Sequence, residues 1–226
     1  YNFAPSIDDV ATKGVRTLVL MDWTDILCYN MPTEPARLRD FVKQCHQHGI
    51  RLLVYFGYQM SERAPEFPVF LDDCAQWIKE DHYSFEEGPD NYPPKPTQQV
   101  FRMCHRSEWG DFVVAGIARL MDDYDLDGVY LDGTGIPVAA CHNVHHGCQK
   151  ADGTPGGTYP IFAGRALVRR IYQVVKSRKP DGVVNLHNSA YMLAPLLPWA
   201  TSYWDGEQLK KELSLDTVRK RLPLDM

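Results

Sequence analysis

The chain has 226 residues, a net charge of -5 and a pI near 5.9, with 44% hydrophobic and 23% charged residues. This length and composition suit a single globular domain, residues 1–226, with a substantial core. The chain lacks the clustered Lys and Arg that displace counterions from a nucleic acid, and charge or Pro interrupts every apolar stretch before the ~20 residues of a membrane span. We therefore expect neither a nucleic-acid partner nor a membrane partner.

The predicted elements alternate between strands and helices along the chain. Apolar runs predict the strands, and apolar residues at helical spacing bounded by Pro or Gly predict the helices. The order is strand 15–21, helix 35–49, strand 50–58, a long excursion 65–106, helix 107–121, strand 129–132, loop 135–160, helix 161–178, strand 182–186, strand 199–204 and helix 209–221. The excursion is rich in Pro and aromatic residues, with one short helical piece near 71–79, and we expect it to form an ordered lid.

Strands joined by helical crossovers predict a parallel sheet whose strands follow the chain order. Five predicted strands fall short of a complete (β/α)8 barrel, which needs eight and ~250 residues. We therefore predict an α/β fold, a TIM barrel of which this chain covers about strands two to six. An open parallel sheet exposes strand edges, so we expect further segments of the same polypeptide to complete it. A doubly wound sheet is the alternative, but the turn at 22–25 has no Gly-rich phosphate-binding pattern.

The central predicted strand ends in a carboxylate. Leu126, Val129 and Leu131 form a short apolar run bounded by turn residues, and Asp132 follows at its C-terminal end. The βα loops of a barrel gather at this end of the strands, so Asp132 is the first catalytic candidate. In the alternative interpretation, the pair Asp132-Gly133 only forms a turn.

The other predicted strands also end in acidic, amide and aromatic side chains. Glycoside hydrolysis uses two carboxyl groups across the scissile bond, polar groups for hydroxyls and flat rings against sugar faces. We therefore predict a carbohydrate hydrolase that needs no cofactor. The candidate catalytic carboxylates are Asp132, Asp205 and Glu207. The candidate substrate-binding residues are Asp22, Trp23, Tyr58, Arg102, His146, His187, Asn188 and Trp204.

At these positions the sequence resembles the α-galactosidase superfamily of TIM barrels, which are clan-D retaining glycosidases, and more closely a set of glycoside-hydrolase-like barrel proteins. The nucleophile of that superfamily ends a strand in the pattern Tyr/Trp-x-Asp, which is similar to Tyr130-Leu131-Asp132 here. The resemblance implies that Asp132 is the nucleophile and that Asp205, two strands later, is the acid/base of a retaining enzyme. Glu207 is the reserve acid. The lysine that commonly precedes the nucleophile strand end is replaced by Tyr130.

The loop 141–148, Cys-His-Asn-Val-His-His-Gly-Cys, is a second local feature. Imidazoles and thiolates at short spacing are ligands for Zn²⁺. The spacing matches neither HExxH nor a regular structural-zinc pattern, and a six-residue spacer closes easily. We therefore predict a disulfide between Cys141 and Cys148 rather than a metal, with His146 beside the sugar site.

Two alternatives to a carbohydrate hydrolase remain open. One is a glycan-binding barrel without catalysis, and the other is a metal-dependent hydrolase centred on the 141–148 loop. A barrel family that relies on the substrate's acetamido group uses an adjacent Asp-Glu pair, which is absent because Gly133 follows Asp132. The even count of six cysteines permits disulfides, so we expect an extracellular or periplasmic protein. We expect it, as a carbohydrate hydrolase, to degrade polysaccharides.

Overall fold

The computed structural model describes residues 6–76, 82–85, 96–148, 150, 152, 154, 157–187 and 193–204. The elements in chain order are α1 (Ile7–Thr12), β1 (Thr17–Leu20), α2 (Pro35–Gln47), β2 (Arg51–Phe56), β3 (Gln59–Ser61), α3 (Phe67–Cys74), β4 (His82–Phe85), β5 (Gln98–Arg102), α4 (Trp109–Tyr124), β6 (Gly128–Asp132), α5 (Ile161–Arg178), β7 (Val183–His187) and β8 (Ser202–Trp204). Two 3-10 helices lie at Val144–His146 and Ala194–Trp199. The helix predicted at 209–221 lies outside the described residues. None of the described helices is long and apolar enough to cross a membrane.

Five strands form one parallel sheet in the order β1-β2-β6-β7-β8. Each neighbouring pair in this sheet is parallel, which confirms the predicted strand order. The sheet curls into an α/β half-barrel, as a partial TIM barrel would. Helices α2, α4 and α5 lie in the crossovers, and a 3-10 helix lies in the last one. The last predicted strand, 199–204, is shorter in the structure, because Trp199 ends that 3-10 helix and strand pairing begins only at Ser202.

The hydrophobic core lies between one face of the sheet and the helices. Its members from the strands include Leu52, Val54, Val129, Leu131, Val184 and Leu186, and those from the helices include Leu38, Val42, Ile117, Leu120, Ile171 and Val175. Successive side chains of a strand point to opposite faces. The intervening positions, such as Val19, Leu53 and Tyr130, therefore line the concave face of the sheet.

Asp127 joins neighbouring elements at the N-terminal end of the sheet. Its Oδ2 accepts a hydrogen bond from the backbone amide of Leu52 and contacts Nε2 of His46, each at 2.8 Å, and its Oδ1 accepts from Lys179 at 2.9 Å. Burial raises the pKa of Asp127, but the bonds from Leu52, Lys179 and His46 outweigh that effect and hold the pKa below its ordinary value. This carboxylate is thus a structural anchor.

The excursion contributes β4 and β5 to a second sheet, which also contains β3 and which the sequence pattern did not predict. Strands β3 and β4 both pair antiparallel with β5. The predicted strand 50–58 is broken, because the chain leaves the parallel sheet at Gly57 and turns into β3. A Cβ atom at Gly57 would lie 2.4 Å from Sγ of Cys28, so a larger residue at this crossing would force that side chain to move. The helix predicted near 71–79 lies earlier, at α3, where Phe67 packs on Phe101 with ring centroids 4.8 Å apart.

Candidate active site

A groove of about 850 Å³ runs along the concave face of the parallel sheet. It extends along the whole length of the strands, from Arg51 and Asp181 at their N-terminal ends to their C-terminal ends. Val19, Leu53 and Tyr130 line the middle of the groove, and Asp132 and Trp204 lie where the strands end. The C-terminal ends of the strands therefore contribute a carboxylate and an aromatic ring to one open cavity.

Asp132 is held by its two neighbouring strands. The Tyr55 hydroxyl donates to its Oδ2 at 3.1 Å, and Nδ1 of His187 lies 3.2 Å from its Oδ1. In the sheet register, Tyr55 is opposite Tyr130 on one side and His187 is opposite Asp132 on the other. The Asp132 side chain keeps 35% of its surface exposed. Both oxygens are thus oriented, and the carboxylate still reaches the groove.

Aromatic rings surround this carboxylate. The ring of His187 lies 4.2 Å from that of Trp204 and 5.5 Å from that of Tyr130, measured between centroids. Tyr130 in turn stacks on Tyr55 at 6.0 Å. Trp204 is 40% exposed, so its ring has a free surface beside the groove. Flat, partly exposed rings of this kind suit the apolar face of a sugar.

Tyr58 and Arg102 form a side-chain hydrogen bond close to the same carboxylate. Burial raises the pKa of Tyr58, the bond from Arg102 opposes this, and the negative charge of Asp132 adds to the rise. The Tyr58 ring packs over Gly133, where a Cβ atom would lie 2.5 Å from Cδ1 of the ring. Gly133 has a φ of 65°, a conformation that glycine adopts without strain. The turn after Asp132 thus brings Tyr58 close to the carboxylate.

The remaining predicted residues lie in different places. Asp22 is partly exposed just beyond the end of β1. Trp23 is 1% exposed, and its Nε1 donates to the backbone oxygen of Tyr55 at 2.9 Å, so its ring is enclosed by the core and supports Tyr55. The predicted residues Asn188, Asp205 and Glu207 lie outside the described residues.

Thr134 and His105 hold the turn after Asp132 and were not among the predicted site residues. The Thr134 hydroxyl donates to the backbone oxygens of Phe56 and Gly57 at 2.9 and 2.8 Å. Nε2 of His105 lies 2.8 Å from the Thr134 backbone oxygen, and burial lowers the pKa of His105. A buried threonine after a glycine has no distinctive sequence pattern, which explains why it was missed.

The structure contradicts the predicted disulfide between Cys141 and Cys148. All six cysteines are free. Cys104 belongs to the segment after β5, and its Sγ lies 3.6 Å from Sγ of Cys148. Nδ1 of His146 lies 3.5 Å from the sulfurs of both Cys141 and Cys148, so His146 belongs to this cluster. The prediction was wrong because the close partner of Cys148 is distant in sequence, and the disulfide argument for an oxidising compartment falls with it.

Comparison with known proteins adds evidence on the fold. No protein-family model and no curated protein matches the sequence. Among solved structures, the chain is similar to α-L-fucosidase isoenzyme 2 from Paenibacillus thiaminolyticus, with 16% identity, a TM-score of 0.56 and coverage of 88% of this chain and 32% of that chain. It is also similar to a GH36 α-galactosidase from Geobacillus stearothermophilus (14%, 0.54, 88% and 27%) and a GH31 α-xylosidase from Xanthomonas citri (13%, 0.58, 88% and 22%).

These similarities show a glycosidase-like fold. The identities are low, so the likeness concerns the arrangement of strands and helices. The chain spans about a third or less of each of these three proteins.

Proposed function

We propose that this chain carries the active site of a glycoside hydrolase and that Asp132 is its catalytic nucleophile. The observation that carries the proposal is the position of Asp132 at the C-terminal end of the central strand, oriented by Tyr55 and His187 and open to the groove. Active sites of α/β barrels lie at this end of the strands. The similarity to a fucosidase, an α-galactosidase and an α-xylosidase supports a glycoside as substrate.

The proposed reaction is the retaining one, of the clan-D type. Asp132 attacks the anomeric carbon and forms a covalent glycosyl-enzyme while a second carboxyl group protonates the departing oxygen. That second group then takes a proton from the water that hydrolyses the intermediate. The hydrogen bond donated by Tyr55 stabilises the charge of the attacking carboxylate, and the His187 imidazole, with Nδ1 3.2 Å from Oδ1, helps to orient it. We assign the acid/base role to Asp205, which directly follows β8, with Glu207 as the reserve.

We assign the substrate contacts from the geometry around Asp132. The exposed ring of Trp204 stacks against the sugar, and the pair Tyr58 and Arg102 binds hydroxyl groups at the opposite side of the carboxylate. Asp22 follows β1 and Asn188 follows β7, and we assign both to the polar rim.

We also propose that further segments of the same polypeptide complete the barrel. Strands β1 and β8 are the edges of the described parallel sheet, and an open edge invites pairing with another chain. The three similar structures are also much longer than this chain, which covers 32% or less of each.

Neither alternative function has comparable support. The described His/Cys cluster contributes four protein donors, which leaves no open coordination position for a catalytic metal. None of its members lines the groove. Glycan binding without catalysis predicts the same groove, so it becomes one outcome of the kinetic test.

The test uses the full-length protein and a panel of aryl glycosides. We expect Asp132→Asn to lower kcat at least ~10³-fold while leaving binding of the sugar in place. Asp40→Asn, an exposed change on α2, is the matched control and keeps full activity. Full activity of Asp132→Asn refutes the proposal, and sugar binding without turnover by the unaltered protein favours the glycan-binding alternative.

Two further measurements test the roles within the mechanism. Asp205→Asn slows aryl glycosides with poor leaving groups more than those with good ones, because only the former need a proton from the acid. NMR of the first-formed sugar shows the same anomer as the substrate if the enzyme is retaining. An inverted product contradicts the nucleophilic role of Asp132 and makes a carboxylate-activated water the attacking group.

A further inference from the structure

Four potential metal ligands meet outside the groove. Cys104 comes from the segment after β5, and Cys141, His146 and Cys148 come from the loop after β6. Their ligand atoms all lie within 4.8 Å of one another. Each of the three cysteines is at most 1% exposed. Two segments that are distant in sequence thus place three sulfurs and one imidazole nitrogen at a single buried point.

The distances match a zinc tetrahedron better than a disulfide. A disulfide requires about 2.05 Å between the sulfurs, whereas those of Cys104 and Cys148 are 3.6 Å apart. Zn–S bonds of about 2.3 Å and Zn–N bonds of about 2.0–2.1 Å at tetrahedral angles separate two sulfurs by about 3.8 Å and a sulfur from a nitrogen by about 3.6 Å. The observed separations from Nδ1 of His146 to the sulfurs of Cys141 and Cys148 are both 3.5 Å.

We infer that Cys104, Cys141, His146 and Cys148 bind one structural Zn²⁺ ion. Three thiolates and an imidazole are soft and borderline donors, which select Zn²⁺ over Mg²⁺ or Ca²⁺. Four protein donors fill a tetrahedral shell, and filled shells of this kind are typical of structural rather than catalytic zinc. The site is independent of the proposed glycosidase chemistry, because its ligands do not line the groove.

The surrounding backbone supports the ligand loop. Cys141 and Thr158 exchange backbone hydrogen bonds of 2.8 and 2.9 Å. The side chain of Asn143 donates to the backbone oxygen of Ala75 at 2.8 Å, which fastens the loop to the end of α3. Gly147, with a φ of 63°, makes the turn that brings Cys148 back to His146. The ligands are therefore held in place by contacts that do not depend on the ion.

The ion would connect the loop after Asp132 with the segment that carries Arg102. Cys104 follows Met103, whose backbone amide donates a hydrogen bond to the backbone oxygen of Tyr58 at 3.0 Å. Loss of the ion would remove this connection and loosen the segment that carries Arg102, while the backbone contacts of the loop remain. Zinc thus stabilises the architecture around the groove without taking part in a reaction.

The test measures zinc in the full-length protein purified without chelators. We expect elemental mass spectrometry to find about one zinc ion per chain. Cys104→Ser and Cys148→Ser should each lose most of the bound zinc. Cys45→Ala is the matched control, because Cys45 is equally buried on α2 but lies outside the cluster, and it keeps its zinc. The unaltered protein refolded with Co²⁺ gives the visible absorption of tetrahedral thiolate coordination, a readout that needs no variant.

Three results would overturn the inference. The first is folded, reduced protein without zinc that also gives no cobalt spectrum. The second is a disulfide among Cys104, Cys141 and Cys148 found by peptide mapping, and the third is iron in place of zinc. If Cys148→Ser does not fold, Cys148→His tests the site instead, because histidine restores a zinc-binding side chain. Cys148→His should retain zinc if the cluster is a metal site. Folded Cys148→His protein without zinc would refute the site.

Discussion

The carboxylate of Asp127 is expected to be among the most important single side chains for stability. It is 13% exposed and accepts hydrogen bonds from the Leu52 amide and from Lys179, with His46 at 2.8 Å. Asp127→Ala removes all of these contacts at once, at the point where α5 and β2 meet the start of β6. The prediction is a large loss of stability with the fold retained.

The magnitude follows from what each partner loses. A buried amide such as that of Leu52, left without an acceptor, costs about 1–3 kcal/mol. Lys179 loses less, about 1 kcal/mol or below, because its Nζ keeps the carboxylate and backbone oxygen of Asp125 at 2.8 and 2.7 Å. We therefore expect Asp127→Ala to lower the free energy of unfolding by about 1–4 kcal/mol, a large share of the ~5–15 kcal/mol of a typical domain.

Urea unfolding at neutral pH measures this loss, and Asp181→Ala is its control. Asp181 also joins this end of the sheet, through an ion pair with Arg51 of 3.1 Å, but its side chain is 73% exposed. Exposed pairs contribute little, so we expect a change within about 0.5 kcal/mol. Equal effects of the two substitutions would refute the reasoning.

The pH dependence checks the same carboxylate in a second way. The folded pKa of Asp127 lies below its ordinary value, so its stabilising effect is complete above the unfolded pKa of ~3.9 and is lost as the pH falls through the folded value. The stability difference between the unaltered protein and Asp127→Ala should therefore narrow only in acid, below about pH 4. A difference that narrows near neutral pH would contradict the assignment to this carboxylate.

Two substitutions near the groove test the geometry around Asp132. Gly133→Ala places a Cβ atom 2.5 Å from the Tyr58 ring, so it should raise KM and lower stability. The control is Gly49→Ala, because Gly49 has the same φ of 65° but a Cβ atom there would meet no atom within 4 Å, and the loss of stability should be smaller. Equal effects of the two substitutions would contradict the packing described for Tyr58. Tyr55→Phe removes the hydroxyl that donates to Asp132 and keeps the ring, so kcat should fall about tenfold with little change in unfolding temperature. An unchanged kcat would show that this hydrogen bond does not serve catalysis.

The strand order was predictable because local sequence patterns mark each strand and the crossover that joins it to the next. Apolar runs and the Pro and Gly residues at helix ends are read directly from the chain, and crossovers then leave few possible orders. The sheet formed by β3, β4 and β5 was not predictable in the same way. It depends on pairing between residues such as Met60 and Phe101, which are distant in sequence.

The candidate site was predictable at strand ends and less so elsewhere. Asp132 was a candidate because barrel topology places the C-terminal end of its strand at the active-site face, and His187, which lies 3.2 Å from it, was a candidate by the same rule. Tyr55 was missed because it lies within β2, and its hydroxyl reaches Asp132 only through the register of the two strands. Cys104 was not recognised as a partner of Cys148, since no spacing rule connects a lone cysteine to a distant loop.

Asp127 and Asp132 begin and end the same short segment, and the structure places them in opposite environments. Asp127 is nearly enclosed at 13% exposure, with donors that satisfy its charge, whereas Asp132 keeps 35% exposure and faces the groove. A carboxylate surrounded by donors stabilises the fold, and one left accessible can react. The two substitutions should therefore have opposite effects. Asp127→Asn should lower the unfolding temperature and leave kcat nearly unchanged, whereas Asp132→Asn should abolish turnover and leave stability nearly unchanged. If both substitutions lowered stability and turnover together, the division of the sheet into a structural end and a reactive end would be wrong.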